Sequence, residues 1–139
     1  MDSVAARLVA RLLGGRRSAQ RMAAVFSDID ERRAWGDAES VSGPGSSLAS
    51  TASVRDELTR LVYDLGARSL VDAGCGDCHW MNATPLDITR YVGVDVVARL
   101  VTRNQQEFRD PGRRFLCADI TRDDLPQVDI VLCRDSLCI

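Results

Sequence analysis

The spacing of apolar residues along the chain changes several times between helical periodicity and short continuous runs. Repeats of three or four residues predict helices at 4–13, 18–35, 53–65 and 96–108. Short apolar runs, which are typical of buried strands, lie at 69–71, 91–95, 114–118 and 129–135. Because predicted strands alternate with predicted helices, the pattern indicates an α/β fold with a mainly parallel sheet.

Three of the predicted helices have an apolar face that should pack on the rest of the domain. The helix at 53–65 begins close to a capping box, with Ser53 and Asp56 in the capping positions, and Gly66 ends it. Its packed face is expected to contain Val54, Leu58, Leu61, Val62 and Leu65. The apolar stripe at 18–35 is Met22, Val25, Phe26 and Ile29. The packed face at 96–108 is Val97, Leu100, Val101 and Asn104.

The first predicted strand leads directly into a glycine-rich turn, Asp72-Ala73-Gly74-Cys75-Gly76. Glycine is favoured where the backbone turns sharply or approaches a ligand closely. A strand that runs into such a turn is how open α/β sheets form a nucleotide crevice. The dinucleotide fingerprint G-x-G-x-x-G is absent, because His79 occupies the position of its third glycine.

The pattern D-x-G-x-G at 72–76 resembles the first motif of class I S-adenosylmethionine (SAM)-dependent methyltransferases, and three later features support the resemblance. The second strand ends in Asp95, whose carboxylate can accept both hydroxyl hydrogens of a ribose. The third strand is followed by Asp119 and Ile120. The fourth, at 129–135, begins with an acid and continues as an apolar run, as in that family.

The resemblance implies a role for each matching residue. The expected contacts of SAM are Asp72, Gly74, Gly76, Asp95, Asp119 and Ile120. Asp119 would accept from the adenine amine, Ile120 would pack on the ring, and Asp135 would orient or deprotonate the methyl acceptor. The helix after the turn would point its N–H groups at the cofactor carboxylate, although 82–85 cut it short. Trp80 is expected either in the pocket wall or in the core.

The family's fold has seven strands in the order 3-2-1-4-5-7-6, and this chain supplies the first four. Right-handed crossovers predict the order 3-2-1-4, so we expect a Rossmann-like, doubly wound sheet that is incomplete after the fourth strand and preceded by N-terminal helices. We divide the chain into a basic helical segment at 1–35, a loop at 36–52 and a SAM-binding domain at 53–139. The outer edge of the fourth strand could pair with a second copy of the chain.

The loop at 36–52 has two interpretations. Its Gly, Ser and Pro content is typical of a flexible linker. However, Glu39, Ser40, Ser42 and Ser46 surround Gly43-Pro44-Gly45, a turn stiffer than a Gly/Ser tether. In some methyltransferases that resemble this chain, a loop before the first strand closes over the cofactor, so a lid is the second interpretation.

Composition narrows the remaining function classes. The net charge of −2 argues against nucleic acid as a partner, no apolar run is long enough to span a membrane, and a small-molecule acceptor is favoured. The five cysteines are odd in number, which favours reduced thiols in the cytoplasm. Cys75-x-x-Cys78-His79 matches a haem-attachment pattern, but the glycine turn already explains this stretch, and we expect no metal site.

Two other functions compete with a SAM-dependent methyltransferase. One is a catalytically inactive remnant that binds SAM weakly or only packs on a partner, which the missing later strands favour. The other is an NAD-type oxidoreductase, which the missing third glycine and the acid before the first glycine disfavour.

Overall fold

The computed structural model describes residues 16–35 and 37–136, and the helix predicted at 4–13 lies outside them. The described helices are α1 (Arg16–Glu31), α2 (Ala52–Leu65), α3 (His79–Asn82) and α4 (Ala98–Glu107), with a 3₁₀ turn at Pro44–Ser46. The described strands are β1 (Ser69–Ala73), β2 (Arg90–Asp95), β3 (Arg113–Cys117) and β4 (Ile130–Cys133). No helix in this part of the chain is long and apolar enough to cross a membrane.

The strands form one parallel sheet in the order β3-β2-β1-β4, which confirms the predicted topology. Asp72 on β1 is in register with Gly93 on β2 and with Leu132 on β4. The chain therefore leaves β1 in one direction to form β2 and returns to its other side to form β4. The carboxyl ends of β1 and β4 flank the switch point at which α/β sheets bind ligands.

The two central strands are apolar on both faces, as expected for a parallel sheet covered on both sides. Leu70 and Tyr91 pack on one face with residues of α2 and α4. Val71 and Val92 pack on the other face, where the connection at 118–128 covers them. Continuous apolar runs in the sequence are the direct consequence of this two-sided burial.

Helix α2 packs on the sheet through a narrower face than its sequence predicts. Leu58 and Val62 are almost fully buried, whereas Leu65 is 63% exposed, because only the row formed by Leu58 and Val62 faces the strands. The helix begins at Ala52 after the N-cap Thr51, so the predicted cap at Ser53 is wrong. Gly66 adopts the left-handed conformation at the C-cap, as predicted.

Helix α1 is attached to the domain by a buried acid. Asp30 is almost fully buried and accepts a hydrogen bond from Arg99 Nε of α4 at 2.9 Å. Met22 and Phe26 are half-buried, but Val25, expected on the same stripe, is largely exposed. The face of α1 that contacts the domain is therefore narrower than the sequence predicts.

Asp129, which was expected to begin the fourth strand, instead fixes the starts of two strands. Its Oδ2 accepts from the backbone N–H groups of Arg68 and Ser69 at 2.8 and 2.9 Å and from Ser69 Oγ at 2.7 Å. These bonds stabilise the ionised form and lower the pKa of Asp129. The acid thus sets the register of β4 against β1 at the end of the sheet away from the predicted site.

A second acid, Asp72, is buried inside the sheet. Tyr91 Oη donates to Asp72 Oδ2 at 2.8 Å and lies 3.4 Å from Cys78 Sγ. Burial is the main reason that the pKa of Asp72 rises from 3.8 to about 6, although the Tyr91 hydrogen bond opposes this. Asp72 is therefore costly to the folded state when ionised.

The packing of α2 predicts different effects for two leucines of the same helix. Leu58→Ala removes a buried side chain and should lower the free energy of unfolding by about 2–5 kcal/mol. Leu65→Ala removes a largely exposed one and should change it by less than about 1 kcal/mol. Urea unfolding of both variants measures the difference, and equal losses would contradict the packing face described above.

The buried acid predicts a pH dependence of stability. The pKa of Asp72 is about 6 in the folded protein and 3.8 when the group is unperturbed, as in the unfolded chain. The stability that protonated Asp72 contributes below pH 3.8 is therefore lost as the pH rises through 6. Asp72→Asn cannot ionise at this position. Its free energy of unfolding, compared with that of the wild type, should therefore rise by about 2 kcal/mol from pH 4.5 to pH 8. Urea unfolding at both pH values measures this gain. The exposed Asp64→Asn is the control, and a pH-independent difference for Asp72→Asn would refute the assignment.

Candidate cofactor-binding site

The carboxyl ends of the strands open into a cavity of about 360 Å³, within the range of about 300–1,000 Å³ typical of small-molecule sites. All the residues that the sequence singled out line this one cavity: Asp72, Gly74, Gly76, Asp95, Asp119, Ile120 and Asp135. They come from the ends of four strands and meet because the strands are parallel.

The glycine turn, residues 74–76, forms part of the cavity floor. Gly74 and Gly76 have φ angles of 86° and 55°, a region that side chains disfavour. A Cβ atom on Gly74 would lie 2.0 Å from Ser136 Oγ, and one on Gly76 would lie 2.2 Å from Ser42 Oγ. The resemblance implied that these glycines make room for a cofactor, whereas in this structure they make room for two serines of the chain itself.

Asp95 connects the glycine turn to the start of α4. Its Oδ2 accepts from Gly76 N and its Oδ1 from Val97 N, both at 2.9 Å. Burial raises the pKa of Asp95, and these backbone hydrogen bonds oppose the rise. Each carboxylate oxygen has a second acceptor position. Asp95 can therefore still accept two hydroxyl groups of a ligand.

Asp119 has an acceptor that nothing in the described chain satisfies. Its Oδ1 accepts from Thr121 N at 2.9 Å and from Thr121 Oγ1 at 2.6 Å. Its Oδ2 is buried, and no donor among residues 16–35 and 37–136 reaches it. A buried acceptor left without a donor costs about 1–3 kcal/mol. With Ile120 and Leu100 in the same lining, Asp119 offers one acceptor beside an apolar wall, which suits the amine of a purine.

Asp135 lies at the mouth of the cavity with a cation beside it. Its side chain is 66% exposed, and Arg134 Nη1 donates to its Oδ2 at 2.9 Å. Arg134 also donates to the carbonyl oxygen of Gly45 at 3.1 Å and stacks over the Trp80 ring at 5.8 Å. The end of β4 therefore presents an ion pair, and only its acidic member was singled out from the sequence.

Residues 37–51, here called the roof segment, cover one side of the cavity. They are held by Asp77, a buried acid that sequence reasoning missed. Asp77 Oδ2 accepts from Ser40 Oγ at 2.8 Å and from Val41 N at 3.0 Å, and its Oδ1 accepts from Ser42 Oγ at 3.3 Å. The signal in the sequence was the pair of hydroxyl side chains at Ser40 and Ser42.

Helix α3 does not offer its N-terminus to a ligand, contrary to expectation. It has only four residues, and the N–H of His79 donates to Asp77 Oδ1 at 3.2 Å. The carboxylate that occupies this position therefore belongs to the chain. Asn104, predicted on the packed face of α4, is fully buried, and its Nδ2 donates to the Gly76 carbonyl at 2.8 Å. It thus fixes the turn from the other side.

The N-terminal region contributes a further wall that the sequence did not reveal. Met22 and Phe26 of α1 line the cavity together with Trp35, and the Phe26 and Trp35 rings pack edge to face at 6.1 Å. Trp80 was expected either in the pocket wall or in the core, and it belongs to both. The cavity is therefore lined by α1, the roof segment, the start of α4 and the segments at the carboxyl ends of the four strands.

The Cys-x-x-Cys-His stretch is occupied by internal contacts. Cys75 and Cys78 are buried free thiols, and burial raises the pKa of Cys78 to about 11 and that of Cys75 well above its usual value. His79 Nε2 lies 2.8 Å from Glu39 Oε1 of the roof segment. Among residues 16–35 and 37–136, no group of three or more potential ligands is arranged to hold a metal ion.

Comparison with known proteins agrees with this architecture. Residues 71–139 match the family model of a methyltransferase domain. Magnesium protoporphyrin IX methyltransferase from Synechocystis PCC 6803, solved with bound SAH, has a TM-score of 0.58 and 21% identity over 83% of this chain. A dimethyladenosine transferase from Plasmodium falciparum has a TM-score of 0.44 and 16% identity, and the match covers 59% of this chain and 31% of that one.

The chain spans 59% of the length of the Synechocystis enzyme. No curated protein matches it significantly in sequence. The family match covers the glycine turn and every strand end that lines the cavity. Residues 71–139 therefore match a methyltransferase domain, and the described part of the chain has the Rossmann-like fold of the class I SAM-dependent enzymes, a class whose cofactor is SAM.

Proposed function

We propose that the chain binds SAM in the cavity and catalyses transfer of its methyl group to an acceptor. The observation that carries this proposal is the pair of carboxylates at neighbouring strand ends, Asp95 and Asp119. Asp95 keeps acceptor positions on both oxygens, and Asp119 has a buried oxygen without a donor. A ribose diol and an adenine amine supply the donors that these two groups lack.

The remaining predicted residues fit the other parts of the cofactor. Ile120 would pack on the adenine ring, and the glycine turn would lie beside the methionine part. Asp72 lies beneath that turn and supplies negative charge where SAM carries an ammonium group and a sulfonium. The cavity lining is rich in carboxylates, which suits a ligand with two positive centres.

In this reaction the protein would align the reacting groups and would form no covalent bond with them. When bound, SAM would supply an activated methyl group, to which the acceptor's nucleophilic atom would bond as the carbon–sulfur bond breaks and S-adenosylhomocysteine leaves. The chain's residues hold the reacting groups in line, exclude water and accept the proton that the acceptor loses. Asp135 is the candidate for orienting the acceptor or taking that proton, since it lies at the end of β4 on the cavity mouth.

Several features of the acceptor side are part of the same proposal. A small molecule is the favoured acceptor, because the roof segment and α1 narrow the space beside the strand ends. The roof segment would act as a lid over SAM.

The outer edge of β4, where Val131 is largely exposed, could pair with a second copy of the chain. A cytoplasmic location is proposed because the chain contains free thiols.

The first prediction from this proposal concerns Asp95. Isothermal titration calorimetry should detect SAM binding to the purified chain, and Asp95→Asn should bind it about 10- to 100-fold more weakly. A hydrogen bond to a charged group is worth about 1.5–3 kcal/mol, and the amide keeps only one acceptor oxygen. Asp64→Asn, an exposed substitution on α2, should bind like the wild type.

Three outcomes distinguish the competing functions. Thermal stabilisation by NAD but not by SAM would support a dinucleotide-binding oxidoreductase. Binding of SAM without methyl transfer to any acceptor tested would support a SAM-binding module without activity. Absence of SAM binding by a well-folded chain would refute the proposed function.

The second prediction concerns the unmatched oxygen of Asp119. Asp119→Asn retains the oxygen that accepts from Thr121 and replaces the other oxygen with an NH₂ group. A donor would then face the adenine amine, so SAM affinity should fall about tenfold or more, while the thermal midpoint should not fall. The neighbouring exposed Asp124→Asn is the control.

An analogue with a 6-oxo purine sharpens this measurement. S-inosylhomocysteine offers an acceptor where S-adenosylhomocysteine offers a donor. Asp119→Asn should therefore reduce the preference for the adenine form or reverse it. An unchanged preference would show that Asp119 does not contact the purine amine.

A further inference from the structure

We propose that Asp77 is a positioning residue that fastens the roof segment to the glycine turn and thereby sets the affinity of the cavity for SAM. This inference rests on the proposed function for its ligand. Its structural part, the attachment of the roof, stands on contacts within the chain. Asp77 acts through the backbone on either side of it rather than by touching the reacting atoms.

The contacts of Asp77 join two parts of the chain that are far apart in sequence. Ser40 and Val41, 37 and 36 residues earlier, both donate to its Oδ2. Ser42 Oγ and the N–H of His79 donate to its Oδ1. The N–H of Asp77 itself donates to Ser42 Oγ at 3.2 Å. Both carboxylate oxygens are therefore occupied, and three of the four donated hydrogen bonds come from the roof segment.

Burial makes these contacts energetically important. Asp77 and Ser40 are both almost fully buried. If the carboxylate is removed, the buried hydroxyl and N–H groups lose their acceptor, which costs more than an exposed hydrogen bond would. The roof segment also makes two attachments that are more exposed to solvent, from Glu39 to His79 and from Gly45 to Arg134.

The position of Asp77 couples the roof to the cavity floor. Asp77 directly follows Gly76, whose N–H is bound by Asp95. Ser42, held by Asp77, fills the space that a side chain on Gly76 would need. The next roof residues, 43–46, line the cavity. A displacement of the turn is therefore transmitted through Asp77 to the residues that face the ligand.

A graded series of variants tests the role of Asp77. Asp77→Ala removes every acceptor and should weaken SAM binding at least tenfold in calorimetry on the full chain. Asp77→Asn keeps one acceptor oxygen and can donate to Ser42 Oγ, so its affinity should lie between those of Asp77→Ala and the wild type. Ser42→Ala removes one contact and should have a smaller effect than Asp77→Ala. Asp64→Ala is the matched control and should bind SAM normally.

Tryptophan fluorescence gives a readout that needs no ligand. A Cβ atom on Gly43 would lie 3.1 Å from Trp35 Cβ, so Trp35 lies directly against the roof. In Asp77→Ala the emission should shift to longer wavelength under native conditions, and Trp35→Phe should abolish this shift. Asp64→Ala is the control, and its emission should remain unshifted, because Asp64 is exposed on α2 and makes no contact with the roof segment in the described structure.

The outcomes separate this inference from the proposed function. If the wild type binds SAM and folded Asp77→Ala binds it within twofold, the positioning role is overturned. If the wild type does not bind SAM, the proposed function fails, and an unshifted Trp35 emission in Asp77→Ala would overturn the attachment itself. If Asp77→Ala does not fold, equal SAM affinity of Asp77→Asn, Ser42→Ala and the wild type would overturn the inference.

Discussion

The glycine turn at 74–76 is the constraint on which the rest of this structure depends, because separate parts of the chain contact its few backbone atoms. The carbonyl of Val94 accepts from the turn at 2.8 and 3.0 Å and ties it to β2. Asn104 reaches it from α4. Ser42 and Ser136 pack where the glycines have no side chains. A residue larger than glycine would therefore displace the chain after β4 if it stood at position 74, and the roof segment if it stood at position 76.

The sequence was sufficient for the topology and for the cavity floor because those features follow from local patterns. Apolar runs locate β1 and β2, and a strand end followed by an acid locates Asp95 and Asp119. The parallel arrangement then brings these acids to one edge of the sheet. The order of the strands was implied by the resemblance to the family's sheet, with which right-handed connections agree, so no contact between distant residues had to be known in advance.

The walls and roof could not be predicted in the same way, because they depend on pairings between distant residues. Asp30 binds Arg99 across 69 positions, and Gly45 binds Arg134 across 89. Nothing in the local pattern around any of these residues indicates its partner. Asp77 shows the same limitation: it follows a recognisable turn, but its function depends on hydroxyl groups at 40–42.

The acids around the cavity are incompletely compensated in the free chain, and this property connects the fold to its proposed chemistry. Asp72 and Asp95 have pKa values raised mainly by burial, and Asp119 keeps one buried oxygen without a donor in the described residues. A buried charge or acceptor without a partner destabilises the folded state. Asp77, also buried, is surrounded by donors from the chain itself. The structure therefore contains two kinds of buried acid. One kind has donors on both carboxylate oxygens and holds the cavity in shape. The other kind lines the cavity and has only part of its acceptor capacity used by the chain, so a ligand with donors or positive charge can supply further partners.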